Sequence, residues 1–205
     1  MAPETSTLSS KGRQTRYAIE QAARKLFAER GFHGTTLADI TSAAGKSPAV
    51  FYRYFDDKED LLAALAQSFL HDVVAPSWSS VPLPSSPEDT AFFTTVVTGY
   101  WNIFKQNLGI MIAVAQLAAA QQRFADLQNE FRRFGMDIVA ASVRNAQQQG
   151  YGADLSAEHT AAAIALLFEN FTVVMVGNSG LGLQMSDADA IATLSTIWKK
   201  TLYGA

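Results

Sequence analysis

Between Thr36 and Lys58 the chain gathers small, hydroxylic, aromatic and cationic side chains suited to reading a polyanion. Ser47 and Ala49 are short enough to let a backbone approach base edges, and Lys46, Tyr52, Arg53 and Tyr54 can reach bases or phosphates. The hydroxyl of Thr36 and the ring of Pro48 belong to the same surface. Lys58 opens the next helix, where the macrodipole disfavours a cation, so it needs a partner: either a phosphate or a nearby acid. Arg13 and Arg16 lie further upstream, and either grip phosphate and an adjoining minor groove or form a solvated helix start.

Bond-making chemistry has no comparable cluster. His33, His71 and His159 are scattered, and none has a metal-ligating neighbour one helical turn away. No local pattern singles out a nucleophilic serine. The GNSGLGL run at 177–183 resembles a phosphate loop but follows no strand, so it reads as a helix-to-helix connection. No catalytic residue, no metal and no cofactor is expected.

The elements that must position the polar cluster are legible from caps. Thr36 reads as an N-cap with Asp39 three residues on, and Leu37, Ile40 and Ala44 share one face of the helix that follows. Gly45 ends it. Ser47 caps a second short helix with Pro48 at its first position, where a missing N–H is harmless. Val50, Phe51 and Phe55 supply its buried edge, leaving Ala49, Tyr52, Arg53 and Tyr54 on the other. So short a helix is held only by packing. Two helices joined by a glycine turn, with small residues at the exposed start of the second, give the geometry that enters a DNA major groove.

The run FAERGFHGTTLADITSAAGKSPAVFYRYFDDKEDLL resembles the DNA-binding domain of the tetracycline-repressor (TetR) family over about residues 12 to 65. Beyond it the likeness is one of length and helical character. The resemblance implies an all-α homodimeric transcriptional regulator with an effector pocket in its C-terminal part. It further implies DNA contacts at Thr36, Lys46, Ser47, Ala49, Tyr52, Tyr54 and Lys58. Arg53 departs from the family pattern and leaves base preference open.

Bulk properties fit this reading. The 205 residues, 48% of them hydrophobic, suffice for a sizeable core, and the absence of cysteine suits a reducing compartment. No membrane-spanning run or signal peptide stands out, so a cytoplasmic protein without a membrane partner is expected. Net charge is −3, yet eight Lys/Arg against three acids between Lys11 and Phe55 give +5, leaving −8 elsewhere.

The organisation follows: a disordered start over 1–10, a helix-turn-helix domain over 11–57, and a helical effector-binding and dimerisation domain over 58–205 with a Pro/Ser-rich linker at 76–87. The first helix carries Ile19, Ala22, Ala23, Leu26 and Phe27 and closes at Gly31. Beyond the helix from Lys58 to about Val74, further helices are expected near 88–107, 109–121, 124–149, 156–177 and 187–203. Phe93, Tyr100, Trp101, Phe104, Met111, Gln116, Phe134, Phe168, Asn170 and Phe171 suit an apolar pocket with sparse amides, with Asn170 as the buried polar group. The same aromatics at helical spacing suit plain core. Phe168, Met175, Ile191, Leu194, Trp198 and Leu202 form apolar faces on the last two helices, read as a four-helix dimer interface or as intramolecular core.

The expected function is therefore a ligand-responsive repressor released from a palindromic double-stranded DNA operator by a small, largely apolar effector. The alternatives are an activator or constitutive repressor without effector, or a helical small-molecule-binding enzyme.

Overall fold

The computed structural model describes residues 8–74, 82–177 and 182–204. The expectations for residues 1–7, for the first half of the Pro/Ser-rich linker and for 178–181 lie outside these. All described regular elements are helical: α1 (Ser10–Arg30), α2 (Leu37–Ala43), α3 (Pro48–Phe51), α4 (Lys58–Phe69) with a π-helical turn at Leu70–Val74, α5 (Thr90–Gln106), α6 (Leu108–Ala118), α7 (Gln122–Gln148), α8 (Ala157–Val176) and α9 (Asp187–Tyr203). The five expected C-terminal helices each match one of these.

The chain divides into two compact units. The first comprises the chain up to Phe69 together with Asn107–Gln128, and the second Leu70–Gln106 together with Asn129 onward. The first unit thus takes in α6 and the start of α7, which the sequence reading had placed with the C-terminal half.

In the first unit α1 packs against α2, α4 and α6, and α4 packs against α6. Ser9 caps α1 by accepting the Gly12 N–H at 3.2 Å, and Gly31 ends the helix at a φ of 71° that a side chain would resist. The buried face of α1 is Ile19, Ala23, Leu26 and Phe27. Gly109, in the first turn of α6, lies so close to α1 that a Cβ there would stand 2.7 Å from the Ala28 nitrogen and the Phe27 carbonyl. Gln121 and Arg123 donate to the Glu59 carboxylate at 2.9 and 3.3 Å, holding the α6–α7 corner on α4.

In the second unit α5 packs against α9 and α8 around Phe92, Phe93, Val97, Trp101, Leu194 and Trp198. Trp198, 1% exposed, donates its indole N–H to Ser142 of α7 at 3.1 Å, so the polar tip of a buried ring is satisfied. Ser156 and Ser186 cap α8 and α9.

This packing corrects one reading. Leu194, Trp198 and Leu202 are 0–2% exposed within a single chain, Phe168 is buried with them, and Met175 and Ile191 pack against the same core. Phe168, Leu194, Trp198 and Leu202 fill the unit's interior and cannot supply a partner surface, whereas Met175 and Ile191 are only partly buried. Contrary to the sequence reading, α8 is also long and apolar enough to cross a membrane. One of its faces is core, and Glu169 on another makes a two-point ion pair with Arg132 at 2.7 and 3.0 Å.

Candidate functional site

The polar cluster around α3 is held by a short chain of local bonds. Thr36 accepts the Asp39 N–H at 3.1 Å while the Asp39 carboxylate takes the Thr36 N–H at 2.8 Å, closing both halves of a capping box. These bonds, with Arg30 at longer range, hold the Asp39 carboxyl below its usual value. Gly45 turns the chain at a φ of 63°, and the Lys46 N–H returns to the Thr41 carbonyl at 2.9 Å. Ser47 caps α3 through the Val50 N–H at 3.4 Å, with Pro48 in the first turn. Phe51 and Phe55, at most 1% exposed and 5.6 Å apart ring to ring, anchor this single turn from below.

Docking by one face leaves the other open. Ser47, Pro48, Ala49, Tyr52 and Arg53 are exposed, Tyr52 by 58%. Lys46 and Arg53 have no side-chain partner among the described residues, so two uncommitted cations bracket α3. The other basic side chains nearby are engaged: Arg24 with Asn107, Lys25 with Glu29 and Arg30 with Asp39. Arg13 donates to the Leu8 carbonyl at 2.6 Å while remaining exposed at the start of α1. Thr36 is exposed with its hydroxyl committed to the capping box.

Three expected DNA-facing residues turn inward. Arg16 binds Glu20 at 2.8 Å and stands 4.9 Å over the Phe55 ring, with its side chain only 14% exposed. Tyr54 is 8% exposed and packs with the anchor residues rather than on the polar edge. Lys58 donates to the carbonyls of Phe32 and Thr35, both at 2.7 Å, so its partner is neither a phosphate nor an acid. Burial lowers the pKa of this ammonium, against the pull of Glu59. Thr35, fully buried and donating to Gly31 at 2.8 Å, completes the brace. Its neighbour Thr36 carries the visible cap signal, whereas nothing local in the sequence marks Thr35.

The expected effector residues divide between the units. Met111 and Gln116 ride on α6 in the first unit, and Gln116 is exposed. In the second, Tyr100 sits 5.7 Å from Phe104 and 5.6 Å from Phe168, and Trp101 lies 6.4 Å from Phe171. Phe93 belongs to the Trp198 core at 5.3 Å, and Phe134 is half-buried on α7. Asn170 is exposed, which removes it as the buried polar group. Its neighbour two residues on takes that place: Thr172 is fully buried and, like Tyr100, has a hydroxyl without a hydrogen-bond partner. His33, His71 and His159 are all exposed, and the described residues contain no group of three or more His, Asp or Glu placed to hold a metal.

A short docked helix with a small-residue start, a polar outer edge and two uncommitted cations defines a helix-turn-helix DNA-binding protein. Residues 19–65 match the model of bacterial regulatory proteins of the tetR family. Across 70% of this chain, the repressor KstR2 of Rhodococcus jostii is 28% identical over 71% of its own length. Two solved structures share the fold. The fatty acid degradation regulator FadR of Bacillus halodurans has a TM-score of 0.69 and 18% identity, covering 90% of this chain and 94% of that one. FadR of Bacillus subtilis, solved in complex with stearoyl-CoA, has a TM-score of 0.67 and 19% identity, covering 92% and 98%. Residues 19–65 thus form a DNA-binding domain of the tetR type, and the chain is a DNA-binding transcriptional regulator.

Proposed function

We propose that the protein is a cytoplasmic homodimeric repressor that leaves a palindromic operator when a small, largely apolar effector binds its second unit. The observation that carries the reading is the open edge of α3, where Ser47, Ala49, Tyr52 and Arg53 face outward between Lys46 and the anchored Phe55. Thr36 and Arg13 add phosphate contacts at the starts of α2 and α1. The name of KstR2 supports repressor function, and the Bacillus subtilis FadR structure in complex with stearoyl-CoA supports an effector site.

One α3 contacts too few base pairs for useful specificity, whereas two related by a two-fold axis read half-sites about 34–36 Å apart or a multiple of that. The surface suited to that axis is the outer face of α8 and α9. Leu166, Leu167 and Ile197 are 48%, 40% and 38% exposed there, and a shallow groove runs between Ala163, Ile164, Leu167 and Ile197. An apolar face of this kind on a compact unit favours a partner. The effector region is the aromatic group of Tyr100, Phe104, Phe168 and Phe171. An effector shifts operator occupancy only through its differential affinity for the two states, commonly about 1–3 kcal/mol.

The test is a fluorescence-anisotropy titration of a duplex from the chain's own upstream region across a range of salt. Tyr52→Ala combined with Arg53→Ala is expected to weaken binding and flatten its salt dependence. Unchanged affinity and slope would remove α3 as the reading element.

A further inference from the structure

Among the described residues, four buried side-chain polar atoms have no hydrogen-bond partner: Tyr100 Oη, Trp101 Nε1, Thr172 Oγ1 and Tyr203 Oη. All four lie in the second unit. Leaving a buried polar group unmet is costly, and native interiors keep few of them. One has a local explanation. The Trp101 N–H faces the exposed Asp187 carboxylate, which Lys105 chiefly and Trp101 next hold below its usual pKa. Tyr203 Oη stays unmet, with its ring edge-on to Tyr151 at 5.1 Å.

Tyr100 and Thr172 form a different case, because each is the other's polar neighbour across α5 and α8, near enough for the Thr172 hydroxyl to act on the Tyr100 phenol, yet neither has a partner in full hydrogen-bond geometry. Thr172 is 0% exposed, and its hydroxyl forgoes the usual return bond to the carbonyl one turn back. Around the pair stand Phe104 and Phe168, each within 5.7 Å of the Tyr100 ring. Two hydroxyls side by side, beside the rings of Phe104 and Phe168, are the kind of sparse polar element that orients an apolar ligand.

The charge at this end of α8 decides what that ligand presents. Glu169 is bound at two points by Arg132, so no net positive charge is offered to a carboxylate. Burial pushes the Tyr100 phenol up, against the opposing pull of the Thr172 hydroxyl and with a smaller push from Glu169, so it stays a neutral donor. An anion placed here would be desolvated without compensation.

We propose that Tyr100 and Thr172 are the hydrogen-bonding anchor of the effector site and take an uncharged carbonyl oxygen, of a ketone, ester or thioester, carried on an apolar body. This rests on the reading of the second unit as the effector-binding one.

The test uses the full chain and three matched probes, acetophenone, benzoate and ethylbenzene, followed by ligand-observed NMR and thermal shift. Acetophenone is expected to bind about tenfold more tightly than ethylbenzene, the worth of two neutral hydrogen bonds. It is also expected to bind more tightly than benzoate. Tyr100→Phe with Thr172→Val should abolish the preference for the ketone and leave ethylbenzene binding in place. Without any probe, Thr172→Val should melt no lower than the parent protein, since it removes an unmet polar group. A preference that survives the double substitution, tighter binding of benzoate, or a clear fall in melting temperature of Thr172→Val overturns the anchor while leaving the effector region standing. Failure of all three probes to bind the parent protein overturns the effector reading of this region and the anchor with it.

Discussion

The ammonium of Lys58 stands 4.2 Å above the ring of Phe32 and donates to that residue's carbonyl at 2.7 Å. With its second bond, to Thr35, it joins the start of α4 to the loop that launches α2. A cation at a helix N-terminus thereby becomes a brace for the helix-turn-helix. Lys58→Met keeps much of the stem but leaves two carbonyls unmet. It is expected to lower stability by about 1–3 kcal/mol in urea denaturation. Operator binding by the folded fraction should keep its salt slope; a slope reduced by about one would mean that Lys58 touches phosphate after all.

Arg16 and Lys46 make a contrasting pair. Arg16 is spent on Glu20 and the Phe55 ring, whereas Lys46 has no described partner beside α3. Arg16→Ala should therefore lose about 1 kcal/mol of stability and leave the salt slope alone. Lys46→Ala should reduce the slope by about one and hold stability within roughly 0.5 kcal/mol. Anisotropy across salt concentrations, set beside denaturation of the same two variants, checks both halves; an exchange of the two patterns would reverse the assignments.

These contrasts show what one-dimensional information carries. The caps at Thr36, Ser47, Ser156 and Ser186 and the turn at Gly45 are decided by bonds within a few residues, so their chemistry is written locally. The open edge of α3 follows from them once Phe51 and Phe55 are seen as its anchor. What a side chain meets across the fold is not written so. The inward turn of Arg16 and Lys58 depends on an aromatic ring and carbonyls brought alongside by packing. On α8 and α9, apolar residues occupy more than one face, and composition reveals a surplus without its direction. Trp198 and Ile197 are adjacent in sequence, yet one is core and the other is open. Asn170, expected to be buried, is exposed, and Thr172 is buried in its place for the same reason.

The exposed apolar face gives a prediction that separates association from folding. Leu167→Arg with Ile197→Arg should produce a folded monomer in sedimentation velocity, since both side chains are at least 38% exposed in the single chain. Leu194→Ala, at a fully buried position, should instead lower stability by about 2–5 kcal/mol. A dimer that survives both arginines would place the two-fold axis on another face.

Asp39 supplies a pH dependence. Bonds from the Thr36 hydroxyl first and its backbone N–H next hold this carboxyl below 3.8, and Arg30 adds to the effect. A carboxyl depressed in the folded state contributes stability that is present above its unfolded value and is lost as pH falls through the folded one. The stability difference between the parent protein and Asp39→Ala should therefore be constant near neutrality and shrink as pH drops below 3.8. Denaturation at a series of acid pH values reads it directly. A difference that persists undiminished in strong acid would assign it to helix propensity instead of the capping box.

Gly109 tests whether α6 belongs to the DNA-binding unit by fit or by chance. In an ordinary helix, glycine to alanine stabilises by about 1 kcal/mol because the backbone has less freedom to lose. At Gly109 the added methyl would lie 2.7 Å from the nitrogen of Ala28 and from the carbonyl of Phe27. These are backbone atoms of α1, so no flexible side chain can swing aside, and α6 must back away from α1. Overpacking of this kind typically costs about 1–3 kcal/mol. Gly109→Ala is therefore expected to reverse the usual sign and lower the denaturation midpoint, and Gly109→Leu to lower it further. Since α6 packs on both α1 and α4, the displacement should also loosen the Glu59 contacts with Gln121 and Arg123. Faster amide exchange in α4, at positions remote from the substitution, would register that loosening. A midpoint raised by alanine would show that the two helices stand further apart than the glycine requires.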